Sequence, residues 1–528
     1  MSPDSKSKVS KAKSNGHAVA YKFKHDTKKY QNFIGGKWCD SESGEVSENR
    51  NPANVDDLIG TFPRSTKNDV DKAVKSAKKA YDWWRLVPPP QKAQLFFRLV
   101  EVMKERKEKF AFDMTREMGK PIFETRGDVQ EGIDTALYAT GEGYRMFGKT
   151  VPSELPNKFN MTVRMPMGVA GLVTPWNFPM AIPTWKSFPA LMCGNTVVIK
   201  PAEITPLSVW NLVNAILDAG FPPEVINVVF GSGSKVGNAI IEHPDTKVLS
   251  FTGSNGVGRK IMEMAAPKLK RISMELGGKN CTIICDDANL ELAVDACVWA
   301  GFGTTGQRCT ATSRVIVEEG IHDEFVEKFI KAAKKLKLGY GNDPGVLMGP
   351  AVSEEQLKTD LEYVEIGKKE GASLVLGGKR KTGAEYNNGW FIEPTIFTGV
   401  TPKMRIAQEE IFGPVVSVIK VKNYDEALKV GNDIEFGLSS AVFTQDVNRA
   451  YRAFRELETG ITYINSATIG AEAHLPFGGM KGTGNGHREG GWGAYEFFSE
   501  VKTCYVDYSG TLQKAQIDTD EENKKAKK

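Results

Sequence analysis

The chain has 528 residues, 41% hydrophobic and 25% charged, which at about 150 residues per domain is two to four domains with sizeable cores. That excludes a disordered chain, a fibre and a disulfide-stapled mini-protein. The net charge is +4, but residues 1–30 hold eight Lys and two Asp, so the other 498 residues sum to −2 and make no bulk electrostatic claim on nucleic acid.

In chain order, residues 1–30 read as a disordered basic tail, without the apolar run of a secretory signal and without the Arg of a transit peptide. Helical periodicity covers Asp69–Trp84 and Pro90–Gly119 and continues over Glu124–Phe147 to a stop at Gly148. Residues 161–174 and 195–201 read as strands. Met165–Trp185 carries no charge, yet Pro166, Pro175, Pro179, Pro183 and Asn177 make it a buried strand-loop-helix rather than a membrane span. Strand and helix then alternate. Helices are expected at Ser208–Ala219, Lys235–His243 and Gly256–Ala266, and strands at Val225–Phe230, Lys247–Thr252, Arg271–Glu275 and Asn280–Ile284. A second alternating stretch holds helices Leu290–Phe302, Asp323–Lys335 and Ser353–Glu370 with strands Arg314–Glu318, Ser373–Leu376 and Phe391–Phe397. This order argues for α/β lobes built on parallel sheets. Phe497–Tyr508 alternates like a strand beyond both lobes and needs a partner edge, such as one on another subunit. Residues 511–528 form a charged tail.

Seven Cys, an odd number without a CxxC pair, read as reduced thiols in a cytoplasmic setting. Six scattered His give no metal-binding spacing, so no metal, no nucleic acid and no membrane partner is expected.

Five segments carry chemistry. Cys309 lies in Gly303-Thr-Thr-Gly-Gln-Arg-Cys, where small neighbours allow access and Arg308 could lower the thiol pKa; it could equally be a structural Cys. Glu275 ends a strand before Gly-Gly and could serve as a general base with a raised pKa, or be a solvated loop residue. Asn177, in Thr174-Pro-Trp-Asn-Phe-Pro, offers an amide to an oxyanion or simply shapes a turn. Lys200 and Glu203 close a strand as a ribose-binding pair or a surface ion pair. Phe251-Thr-Gly-Ser-Asn-Gly-Val-Gly258 is a strand-turn-helix that can meet a pyrophosphate with backbone N–H groups, although it is not GxGxxG.

Together and in this order these segments, with Glu409-Glu-Ile-Phe-Gly-Pro414 and Pro476-Phe-Gly-Gly479, resemble the aldehyde dehydrogenase superfamily over about residues 31–510. The resemblance implies a Rossmann-like NAD-binding domain (31–150 and 169–283), a catalytic domain (284–485) and a β oligomerisation arm (151–168 and 486–510), assembled as a homodimer or homotetramer. It makes Cys309 the nucleophile, Glu275 the base and Asn177 the oxyanion donor. Thr174, Trp176, Lys200, Glu203, Gly233, Gly237, Phe251, Thr252, Gly253, Ser254, Val257, Leu276, Glu410 and Phe412 fall on the cofactor side, and Arg308, Trp185 and Phe477 on the substrate side. The implied reaction is oxidation of a small aldehyde to a carboxylic acid through a thiohemiacetal and a thioester on Cys309. Glu203 suits a free 2′-hydroxyl and so NAD, with NADP use not excluded because Lys200 offsets its charge.

Two other readings are weighed. CoA-acylating members lack the Glu at position 275, and a non-catalytic protein on this fold has no need of Cys309, Glu275 and Asn177 together. For the substrate, succinate-semialdehyde enzymes carry Arg where this chain has Gly303 and Trp185. Arg308, in Gln-Arg-Cys-Thr-Ala-Thr-Ser-Arg314, looks most like the 2-oxoglutarate-semialdehyde branch. An Arg there grips a distal carboxylate or only tunes the thiol.

Overall fold

The computed structural model describes residues 27–517. Most of the expected basic tail and the end of the charged tail (1–26 and 518–528) lie outside the described residues. The tail boundary falls earlier than 30: Lys28–Lys29 pairs with Asn54–Pro63, and Tyr30 is buried in a ring stack on Phe62 at 4.4 Å.

Two seven-stranded sheets organise the chain. The first runs Arg271–Glu275, Thr246–Thr252, Val169–Val173, Thr196–Lys200, Ile226–Val228, Asn32–Ile34, Lys37–Cys39. Its first five strands are parallel and the last two join antiparallel. Val169–Val173 and Thr196–Lys200 are buried at every position, as strands covered on both faces must be. In chain order the strands step to one side of Val169–Val173, then cross to the other with Thr246–Thr252. A crevice therefore opens beyond the carboxyl ends of those two strands, at Thr174 and Thr252.

The second sheet runs Ser373–Leu376, Thr395–Thr398, Val415–Val421, Thr312–Glu318, Asn280–Ile284, Ser439–Phe443, Ile461–Ile464, parallel except at its first strand. The sheets are joined through Leu276–Lys279, so the end of one sheet strand leads straight into the other lobe.

Several expected boundaries move. Residues 161–174 are two strands in different sheets, Lys158–Pro166 and Val169–Val173. The break is pinned where Asn195 accepts from the N–H groups of Met167 and Gly168 at 2.7 and 3.0 Å. The third long helix stops at Glu142, capped at Gly143, not at Gly148. Gly148 is small for another reason: a Cβ there would overlap the Thr162 carbonyl. The Lys235–His243 helix begins as a π-turn, Gly233–Gly237, before Asn238–Glu242. The strand expected from Phe391 begins at Thr395.

The terminal strand is Ser499–Asp507, preceded by an unforeseen short helix, Gly491–Phe497. It pairs antiparallel with Lys158–Pro166 of the same chain, which also holds Thr150–Pro152. This three-stranded arm exposes Val501 and Tyr505 on one face and Val506 on the other.

Candidate active site

Cys309 follows a tight turn that explains its small neighbours. Thr304 and Thr305 both take left-handed backbone, φ 52° and 59°, which costs a β-branched residue roughly 1–3 kcal/mol. Gly306 must be Gly, because a Cβ would stand 2.2 Å from the Gly413 carbonyl. The turn is held from outside. Glu124, on helix Ile122–Glu142, accepts from the Thr304 N–H at 2.9 Å and from the Thr304 hydroxyl. Thr305 donates to the Gly349 carbonyl at 2.9 Å. The Cys309 carbonyl accepts from the Asn280 amide at 2.7 Å.

A cavity of about 770 Å³ opens beside the thiol. It is lined by Cys309, Arg308, Glu275, Thr252, Leu276, Trp185 and Phe477, drawn from both lobes. Asn177 is buried on the loop before helix Ala181–Cys193; the cavity wall there is its neighbour Phe178. Trp185 and Phe477 pack ring to ring at 4.9 Å.

The electrostatics depart from expectation at the thiol. Burial, then the nearby Glu410 and Glu275 carboxyls, push Cys309 up to about 12. Arg308 does not pull it down, because its charge is engaged elsewhere. Its guanidinium meets Glu124 at 3.1 Å and the Thr304 hydroxyl at 2.8 Å, and it lies over the Trp299 and Phe178 rings at 5.1 and 5.5 Å. These bonds use two of its five N–H donors, and the residue still lines the cavity.

Glu275 sits at the end of its strand with neither carboxyl oxygen hydrogen-bonded. Burial, then the Glu489 charge, raise it well above the ordinary carboxylate range; Lys186 and Arg488 pull the other way. Gly478 makes room for it, since a Cβ there would stand 2.5 Å from Glu275 Oε1. Behind it lies a group not found from sequence: Lys186 pairs with Glu489, and Ser250 bonds both, at 2.8 and 3.0 Å. The available signal was a Lys inside an otherwise uncharged helix. Glu131 was missed as well. It lines the cavity, one of its oxygens is buried without a partner, and burial and then Asp128 push it up to about 8.

Most of the expected cofactor residues lie at the carboxyl ends of the first sheet's parallel strands or just beyond them. Thr174 and Thr252 keep buried hydroxyls with no partner at the two strand ends. Ser254 precedes helix Asn255–Ala265 without capping it, which leaves its hydroxyl and the helix N-terminus open to an anion. Phe251 and Gly253 touch, so that a Cβ on Gly253 would meet the Phe251 ring at 2.5 Å, and Gly258 packs on Leu276 in the same way. Val257 is exposed on the first turn of that helix. Lys200 is buried, and burial lowers it to about 8, partly offset by Glu203; the two form no ion pair. Gly237 approaches Lys200, at 3.9 Å from a Cβ to Cδ, and Gly233 opens the π-turn beside it. On the far side of the thiol, Glu410 accepts from the Gly278 N–H at 2.9 Å and burial raises it to about 7. Phe412, at φ 62°, sets its ring edge-on to Trp176 at 5.2 Å. Orphaned hydroxyls, an uncapped helix start and small residues under a crevice fit a dinucleotide.

The sequence profile described as the aldehyde dehydrogenase family matches residues 38–504. The chain belongs to the aldehyde dehydrogenase family. It is 43% identical over 477 residues to the alpha-ketoglutaric semialdehyde dehydrogenase of Bacillus subtilis (strain 168), covering 90% of this chain and 98% of that protein. It is 41% identical over 483 residues to human aldehyde dehydrogenase 1A1, covering 90% and 95%. Among solved structures, betaine aldehyde dehydrogenase of Staphylococcus aureus in complex with NAD⁺ superposes with TM-score 0.89 at 35% identity, over 92% of this chain and 95% of that one. The protein is therefore an oxidoreductase of the α/β aldehyde dehydrogenase fold that oxidises an aldehyde.

Proposed function

We propose that this enzyme oxidises a carboxylated semialdehyde of the 2-oxoglutarate-semialdehyde type to the dicarboxylic acid, with water as the acyl acceptor. One observation carries the reading: a single cavity brings together a thiol, an unbonded carboxyl and a guanidinium with N–H groups to spare. The relatives named for alpha-ketoglutaric semialdehyde support it.

In this scheme Cys309 Sγ, as thiolate, attacks the aldehyde carbon, and the Asn177 amide with the Cys309 N–H holds the alkoxide. NAD, when bound, supplies the hydride acceptor. Glu275 takes a proton from water as it attacks the thioester, and Cys309 leaves as thiolate. Lys200 and Glu203 hold the adenosine ribose, Ser254 the pyrophosphate, and Glu410 and Phe412 the nicotinamide side. Residues 31–150 and 169–283 serve as the NAD-binding domain, 284–485 as the catalytic domain, and 151–168 with 486–510 as the oligomerisation element of a homodimer or homotetramer in the cytoplasm. The exposed apolar residues of the arm and the unpaired cysteines support those last readings.

The test is a panel of aldehydes, each with NAD and NADP, ranked by kcat/KM. A carboxylated semialdehyde ranks first. A second reading has its own support: Glu131, Asp134 and Glu472 rim a cavity walled by Phe178, Trp185 and Phe477, a setting that suits an ammonium-bearing aldehyde. The same panel rejects the semialdehyde if such a cation ranks first.

Two substitutions sharpen the assignment. Arg308→Leu costs the carboxylated aldehyde about tenfold to a hundredfold more in kcat/KM than a neutral aldehyde of equal length, since a charge-assisted hydrogen bond contributes roughly 1.5–3 kcal/mol. The ratio of losses is the quantity to read, and equal losses reduce Arg308 to packing. Glu203→Ser removes a carboxylate from the 2′ position and lowers KM for NADP relative to NAD. An unchanged ratio places Glu203 away from the ribose.

A further inference from the structure

We propose that Glu124 is a positioning residue for the reacting thiol: from a separate helix it straps down the left-handed Thr304–Thr305 turn and the Arg308 side chain that frame Cys309. The inference rests on Cys309 being the nucleophile.

The side chain of Glu124 is 1% exposed, although it also reaches the cavity wall. Its carboxylate spends both oxygens on the nucleophile's loop. Oε1 accepts from the Thr304 N–H, while Oε2 accepts from the Thr304 hydroxyl and from Arg308 Nη2. The Thr304 hydroxyl in turn accepts from Arg308 Nε at 2.8 Å. One carboxylate thus closes a ring of bonds through residues five and one before the thiol.

This ring bears on the strained part of the loop. Two consecutive threonines in left-handed backbone relax unless their surroundings over-determine them. The other restraints hold the Thr304 carbonyl or act farther along the turn: Gln307 donates to that carbonyl from its side-chain amide and its N–H, both at 3.0 Å, and accepts from the Val352 N–H at 2.8 Å, and Thr305 bonds Gly349. Only Glu124, among the described residues, bonds the Thr304 N–H and hydroxyl together. Without it the turn can flip at Thr304 and carry Cys309 away from its place beside Glu275. Nothing in this role touches substrate, so it applies to any aldehyde.

The experiment compares parent, Glu124→Ala and Glu124→Gln on a neutral aliphatic aldehyde, so that the choice of semialdehyde does not enter. It reads kcat, KM for NAD, the melting temperature, and the rate of iodoacetamide alkylation at Cys309, located by mass spectrometry. Displacement of a reacting group by about 1 Å costs on the order of a hundredfold, so Glu124→Ala loses about that much in kcat and shows an altered alkylation rate, with KM for NAD unmoved. Glu124→Gln keeps an acceptor of the same shape and recovers about tenfold of that loss. If Glu124→Ala does not fold, Glu124→Gln decides alone: a lowered kcat at parent melting temperature supports the strap, and parent kcat overturns it. Parent-like kcat and alkylation in Glu124→Ala, or a fall in melting temperature only, overturns the inference by itself. Turnover by parent enzyme fully labelled at Cys309 overturns the nucleophile reading and the strap with it.

Discussion

Cys309→Ala abolishes aldehyde oxidation and leaves NAD binding in place. The loss expected in kcat is on the order of a hundred-thousandfold, because the thiol is the one covalent centre of the scheme and nucleophile deletions in hydrolytic enzymes reach that scale. The substitution removes one sulfur from a side chain that contributes nothing to the crevice at Thr174, Ser254 and Lys200. Equilibrium binding of NAD, followed by protein fluorescence, therefore stays within a factor of about two of the parent. The raised thiol adds a second readout. With Cys309 up at about 12, the thiolate is scarce at neutral pH and its share grows about tenfold per pH unit. The alkylation rate of the free enzyme then climbs without a plateau from pH 6 to about 10. A plateau near pH 7 shows instead that Arg308 does reach the thiol. Residual turnover in Cys309→Ala assigns the chemistry to another group.

What could be read beforehand divides by distance along the chain. Cys309, Glu275 and the Thr252–Ser254 turn sit in short segments whose own residues, small ones or a strand end followed by Gly, dictate the local shape, and Cys309, Glu275 and Thr252 line one cavity. The strands Asn280–Ile284 and Arg271–Glu275 and the helix Leu290–Phe302 have the bounds expected of them, because each keeps its own periodicity between local stop signals such as Gly277, Gly278, Asn289 and Gly303. The break at Pro166–Gly168 is easily passed over because apolar residues continue on both sides of it, although Pro166 and Gly168 (φ 135°) mark it and Asn195 pins it. The helix ends at Gly143, packed against Pro89, Ala93 and Met192, rather than at Gly148, and no local pattern records those distant contacts.

The same division explains the site residues that were missed. Lys186 and Glu489 are 303 positions apart, and Glu124 and Arg308 are 184 apart. Read locally, Arg308 beside Cys309 is an activating cation. Once Glu124 is in place, it is a guanidinium tied to a carboxylate and lying over two rings, with its remaining N–H groups left for the cavity. The orphan strand at 497–508 likewise finds its edge on Lys158–Pro166, more than three hundred residues upstream.

Glu275→Gln yields a burst of NADH of one equivalent per active site and then stalls. The amide has the shape of the carboxyl but cannot take a proton from water, so the step lost is thioester hydrolysis, by roughly a hundredfold to ten-thousandfold for a missing general base. Acylation survives and gains slightly, since Glu275 is one of the groups that hold the thiol up. The pH dependence follows from the same burial. The base works only when ionised, and its folded value lies above the ordinary range. Steady-state turnover of the parent therefore rises with pH through that raised value and falls away below it. Glu275→Gln lacks this limb. An added small nucleophile such as hydroxylamine identifies the stalled species, because it attacks a thioester without needing a base. It restarts NADH formation in Glu275→Gln in proportion to its concentration. Steady turnover at the parent rate without it hands the base role to another carboxyl, and Glu489, tied to Lys186 on the same cavity wall, is then the one to replace.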